Sequence, residues 1–187
     1  MHGPRVTAAP ARGARLLVPV GAGAAVAVAL GVYGRLHTPA GKVPYSLGFS
    51  SLYAMKIWLA VAAGVLAIVQ LLGALWMWRK LPLGAPPAWV GPAHRAVGLL
   101  LVLITLPVAY ACLYALGFQH YSARVLAHSL LGCLFYGAFV TKLLTLRTTR
   151  LPGWALPVVG GTLFTAVVAV VLTSAGYTLA TTGSPGF

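Results

Sequence analysis

Five apolar runs, each long enough to cross a bilayer, fill most of this 187-residue chain. A helix needs about 20 apolar residues to span the hydrocarbon. The windows Leu16–Gly34, Ala54–Trp78, Ala96–Phe118, Val125–Leu146 and Trp154–Ala180 all qualify. Lipid offers no partner for a free N–H or C=O, so each run must be helical. The expected fold is all-α, an integral membrane helical bundle of five transmembrane helices. A cytoplasmic N-terminal tail (1–15) precedes a single transmembrane domain (16–180), and a short C-terminal tail (181–187) follows it. Sixty per cent apolar residues and a mean hydropathy of +0.92 lie outside the range of an ordinary soluble domain.

The chain contains no Asp and no Glu. Without a carboxylate there is no acidic general base, no calcium or magnesium site and no carboxylate proton relay. Carboxylate-dependent catalysis is excluded, and the chemistry left to the chain is at most that of a redox subunit. A net charge of +13 would suggest nucleic acid if the cations formed a stripe on a polar face. Instead they sit in the short segments between apolar runs, so no nucleic-acid partner is expected. Arg5, Arg12, Arg15, Arg79, Lys80, Arg95, Lys142, Arg147 and Arg150 fall on one side, and Arg35, Lys42, Lys56 and Arg124 on the other. That bias predicts a multi-pass cell-membrane protein with its N-terminus cytoplasmic and its C-terminus outside. A secretory signal ending near Ala27 or Ala29 is the competing reading of the first run, but the run is long for one and continues to Tyr33.

Small residues predict close helix packing: Gly21, Gly23, Ala25 and Ala27 in span 1, Gly132 with Gly137 in span 4, Gly160 with Gly161 in span 5. Pro107 predicts a kink in span 3, because it removes one backbone donor and frees a carbonyl near Leu103. The loop from Arg79 to Ala93 carries four prolines and reads as extended. Gln70, near mid-membrane, is expected to hydrogen-bond between helices.

Polar groups are costly inside a bilayer, so the histidines near the spans are the first functional candidates. His128 lies about one turn into span 4 on the outer side. His37 ends span 1 and His120 follows span 3 on that same side, while His94 opens span 3 on the cytoplasmic side. Haem b between imidazoles of neighbouring helices is the sharpest hypothesis. His94 and His128 stand near opposite ends of antiparallel helices, roughly 30 Å apart along the bundle. They cannot share one iron. An outer haem would pair His128 with His37 or His120, with Met55 as a softer alternative; an inner one would have His94 with Met77 or His2. The plainer reading of each histidine is an interfacial anchor.

Cys112 and Cys133 fall at similar depths on spans 3 and 4, so a disulfide, a copper site with His128, or two small buried apolar side chains are all open. Lys56 and Lys142 each lie about one turn inside a span end, on opposite sides. Each either snorkels or meets an anionic headgroup, a haem propionate or a quinone, since the chain supplies no counter-charge.

The segments His94-Arg95-Ala96-Val97-Gly98 and His128-Ser129-Leu130-Leu131-Gly132 resemble the core of transmembrane b-type cytochromes and ferric-reductase-like proteins. That resemblance implies haem b near His94 and His128. Di-haem cytochromes of this kind place paired histidines on four successive helices, whereas spans 2 and 5 here have none. A longer set of residues covers nearly the whole chain: His94-Arg95, Pro107, Cys112, Gly117-Phe118, Arg124, His128-Ser129, Gly132-Cys133, Phe135-Tyr136-Gly137, Lys142 and Leu151-Pro152-Gly153-Trp154. It is similar to an uncharacterised actinobacterial family of small multi-span membrane proteins with a domain of unknown function. Three functions follow as expectations. The first is an electron-transfer subunit binding haem b through His128, His94 or His37, beside other membrane or redox proteins. The second is a cofactor-free structural or assembly subunit, and the third a small transporter.

Overall fold

The computed structural model describes residues 12–186. His2 and Arg5 lie outside the described residues. Five helices are long and apolar enough to cross a membrane: Gly13–Leu36, Leu52–Met77, Val90–Leu116, Ala123–Arg147 and Ala155–Thr181. Within them α1 is Leu17–Leu36, α2 Leu52–Met77, α3 Val90–Tyr110, α4 Ala123–Arg147, α5 Ala155–Val171 and α6 Tyr177–Thr181. Two π-helical segments complete the set. Ala111–Leu116 extends α3, and Leu172–Gly176 joins α5 to α6. Large apolar side chains such as Val18 (76% exposed), Leu36 (79%) and Leu172 (62%) project outward, which suits lipid and not water.

The end of the bundle holding the α1–α2 and α3–α4 connections is called upper here, and the opposite end lower. Side chains start α2 and α4 at the upper end. Ser51 Oγ accepts from the Ala54 N–H at 3.1 Å, and Ser122 Oγ accepts from the Val125 N–H at 3.3 Å. The third helix begins at Val90, six residues before the expected Ala96, so the loop's last residues are helical. Pro92 falls in the first turn, where its missing N–H has no intrahelical partner to lose. The irregularity expected at Pro107 comes one turn later, as the π-helical segment from Ala111. Tyr45 in the α1–α2 loop donates its O–H to the Pro107 carbonyl at 3.1 Å. Burial, with Tyr110 beside it, pushes the Tyr45 phenol above its ordinary pKa.

Helix order in space differs from helix order in sequence. α1 packs on α4, α4 on α5, α5 on α2 and α2 on α3. The π-helical end of α3 returns to α1, which closes the ring at the upper end. There Phe118 N–H donates to Gly34 O at 2.7 Å and Ala40 N–H to Tyr114 O at 3.1 Å. Gly117 has φ +71°, and a Cβ on it would stand 3.1 Å from Gly34 O, so both backbone conformation and space require glycine.

Small residues carry the packing, but not all those expected. Gly137 lies against α1 so closely that a Cβ there would be 2.9 Å from Ala27 Cβ. Gly23 meets Gly137 and Thr141 across the same seam. A Cβ on Gly21, Gly132, Gly160 or Gly161 would meet nothing within 4 Å. The reason is helical period: neighbours two apart point about 200° away from each other, while Gly23 and Ala27, four apart, share a face. Gln70 makes its interhelical bond, donating from Nε2 to His94 O at 2.6 Å. At mid-bundle Ala67, Leu101, Val102, Phe135, Ala166 and Val167 form a buried cluster.

Candidate functional site

α3 and α4 follow one another in the chain but do not pack closely, and the space between them is a cavity of about 430 Å³. That size falls within the range of small-molecule sites. Its wall runs from Thr105 and Tyr136 at mid-bundle up to Tyr121 and Thr182. Tyr136 donates its O–H to Thr105 Oγ1 at 3.0 Å, which bridges α3 and α4 at the floor. Both π-helical segments border the space through Cys112, Leu113, Thr173 and Ser174. Such wide turns free backbone carbonyls and often sit at functional sites.

Three cation-capable side chains line this wall: Lys56 one turn into α2, Arg124 from the first turn of α4, and His128 one turn deeper than Arg124. Arg124 donates from its guanidinium to Thr173 O at 2.6 Å and lies over the Tyr177 ring, 3.9 Å from its centre. Lys56 and Arg124 both stand close enough to His128 to act on it electrostatically.

The His128 ring is anchored to Thr173. Its Nδ1 is 3.1 Å from Thr173 Oγ1. The Thr173 hydroxyl spends its one proton on the helix behind it, on Ala169 O at 2.7 Å with Val170 O at 3.1 Å. With the hydroxyl proton on the helix, Thr173 accepts from His128 Nδ1–H, and that tautomer leaves the lone pair on Nε2. An imidazole held in this way is prepared to bind a metal or accept a proton through Nε2.

The other histidines lie elsewhere. His37 caps α1 with its ring between Tyr33 and Tyr114, at centroid distances of 5.0 and 5.1 Å. Its Nε2 is 3.2 Å from Tyr114 O, a carbonyl that can only accept, so that nitrogen is spent as a donor. His37 is therefore a clasp between α1 and the end of α3, and it is not on the cavity wall. His120 Nδ1 meets the Arg35 guanidinium at 3.4 Å. His94 sits at the lower end, about 16 Å below Thr105 along α3. A Cβ on Gly73 would be 3.2 Å from its Nδ1, and that nitrogen is buried without a hydrogen-bond partner. Lys142 acts on it from α4.

The expected pairing of His128 with His37 is thus not formed, and the three candidate imidazoles occupy three separate places. Met55 is completely buried between helices and absent from the wall. Cys112 and Cys133 are free thiols on the wall of this one cavity. No group of three His or Cys side chains able to hold a metal occurs among the described residues. Thr173 and Thr105 were not singled out by sequence, and Tyr136 only as part of the family resemblance. Thr173 carries no signal of its own, being one of several hydroxyl residues in the fifth span.

Five membrane-length helices around a cation-lined cavity define a multi-pass helical membrane protein with a ligand-sized site. The model of a family of unknown function, DUF6529, matches residues 16–186, so the chain belongs to that family. No curated protein and no solved structure matches the chain. Family membership agrees with the resemblance to small multi-span membrane proteins, and neither cytochrome kinship nor an actinobacterial origin follows from it.

Proposed function

We propose that this membrane protein binds haem b in the upper cavity through His128 and serves as an electron-transfer subunit. The observation that supports this reading is the His128–Thr173 hydrogen bond, which holds an imidazole on the wall of a ligand-sized cavity. Among the described residues no second histidine lines the cavity, so the donor set suits a haem with one protein imidazole rather than a bis-histidine pair. Bound haem would supply one-electron exchange at its iron. Thr173 orients the imidazole from behind. Ile57, Ala60, Val108 and Val167 offer an apolar wall that excludes water from a flat hydrophobic ring. The cation bias of the loops supports an orientation with the upper end on the outer side, and a redox partner would then meet the protein there.

The test is optical. Full-length protein expressed with ample haem should show a reduced-minus-oxidised α band that disappears in His128→Ala and survives in His37→Ala. Colourless wild-type protein, or a band indifferent to His128→Ala, would overturn the reading.

A further inference from the structure

We propose that the mouth of the upper cavity is an oxyanion site, in which Lys56, with Arg124 beside it, receives a carboxylate or phosphate borne on an amphiphile. The inference goes beyond the haem reading and stands without it. It begins with an imbalance of charge. The chain contains no Asp or Glu, so no side chain can neutralise a cation. Lys56 is half-buried on the cavity wall, and its ammonium has no hydrogen-bond partner among the described residues. A partly desolvated, unpaired ammonium is costly, and the cost falls when an anion joins it.

The neighbours increase that demand. Arg124 is held in place by a backbone carbonyl and an aromatic face, both neutral, so its charge is oriented but not compensated. α2 and α4 begin at Leu52 and Ala123, and residues of the first turn of each reach the same cavity. Their aligned peptide dipoles add positive potential there. Below the mouth the wall turns apolar, through Ile57, Ala60, Val108 and Val167. An acidic head above an apolar body is the chemistry this gradient accepts. A phospholipid, a fatty acid and the propionate edge of haem all have it.

The full-length protein in neutral detergent is heated while its tryptophan fluorescence is followed. Phosphatidylglycerol, phosphatidylcholine, inorganic phosphate at matched ionic strength, and haem are added in separate arms. Phosphatidylglycerol or haem is expected to raise the wild-type Tm by about 3 °C or more over phosphatidylcholine. Lys56→Gln should remove most of the rise, Lys56→Arg should keep it, and Lys142→Gln, at the lower end, should keep it too. A rise with lipid but not haem identifies a lipid headgroup; a rise with haem alone identifies the propionates. Inorganic phosphate matching the lipid effect overturns the amphiphile part and leaves a free-anion site. Equal Tm in every arm, or equal loss in Lys56→Gln and Lys142→Gln, overturns the site altogether. Absorbance spectra of the same samples separate the two readings. A lipid response in colourless protein defeats haem alone, and a haem band indifferent to Lys56→Gln with no lipid response defeats the oxyanion site alone.

Discussion

A single hydroxyl, Thr173, determines what His128 can do. Removing it frees the imidazole to turn and to change tautomer. If His128 ligates haem as proposed, Thr173→Val should weaken haem retention by about 10-fold or more while leaving helicity unchanged, as read by haem titration and circular dichroism. A smaller residue-scale effect belongs to Ser122, whose side chain caps α4 at the cavity mouth. Ser122→Ala should cost about 1 kcal/mol in a dodecyl sulfate unfolding titration. His128 was legible in the sequence because an imidazole inside an apolar run stands out by its cost. Its true partner was not, because a threonine in a membrane helix ordinarily bonds to its own backbone, as Thr141 and Thr145 do. His37 was legible as polar but not as a clasp, since its Tyr33–Tyr114 sandwich depends on where α3 ends.

Helix existence was the most readable level, because run length and hydropathy set it directly. Which glycines meet was less readable. Gly23 and Gly137 touch across the α1–α4 seam, while Gly132, on the same helix, faces open space. Gly137→Leu should therefore force the two helices apart and cost about 1–3 kcal/mol in the same unfolding assay. Gly132→Ala should be close to neutral. Of the two π-helical segments, Ala111–Leu116 was foreshadowed by Pro107 only as a kink, and Leu172–Gly176 not at all. Their wide turns arise where the chain accommodates neighbours, at the α1 contact for Ala111–Leu116 and beside α4 for Leu172–Gly176. Sequence neighbours are usually also spatial neighbours, and the separation of α3 from α4 breaks that expectation.

Over the whole molecule, the distribution of Lys and Arg predicts opposite exposure of the two loop sets. In a background with Cys112→Ala and Cys133→Ala, single cysteines at Ser50 and Gly84 should react with a membrane-impermeant maleimide from opposite sides. Ser50→Cys should label in intact cells, and Gly84→Cys only after the membrane is opened. Labelling of both from one side would remove the five-span topology, and reversed labelling would move the cavity to the cytoplasmic face.

The Tyr136–Thr105 bridge crosses the gap between α3 and α4 at the level of the buried Ala67–Leu101–Phe135–Val167 packing, and so ties together two helices that otherwise hardly meet. A rivet of this kind limits how far the two walls can part, and with that the girth of any guest the space can take.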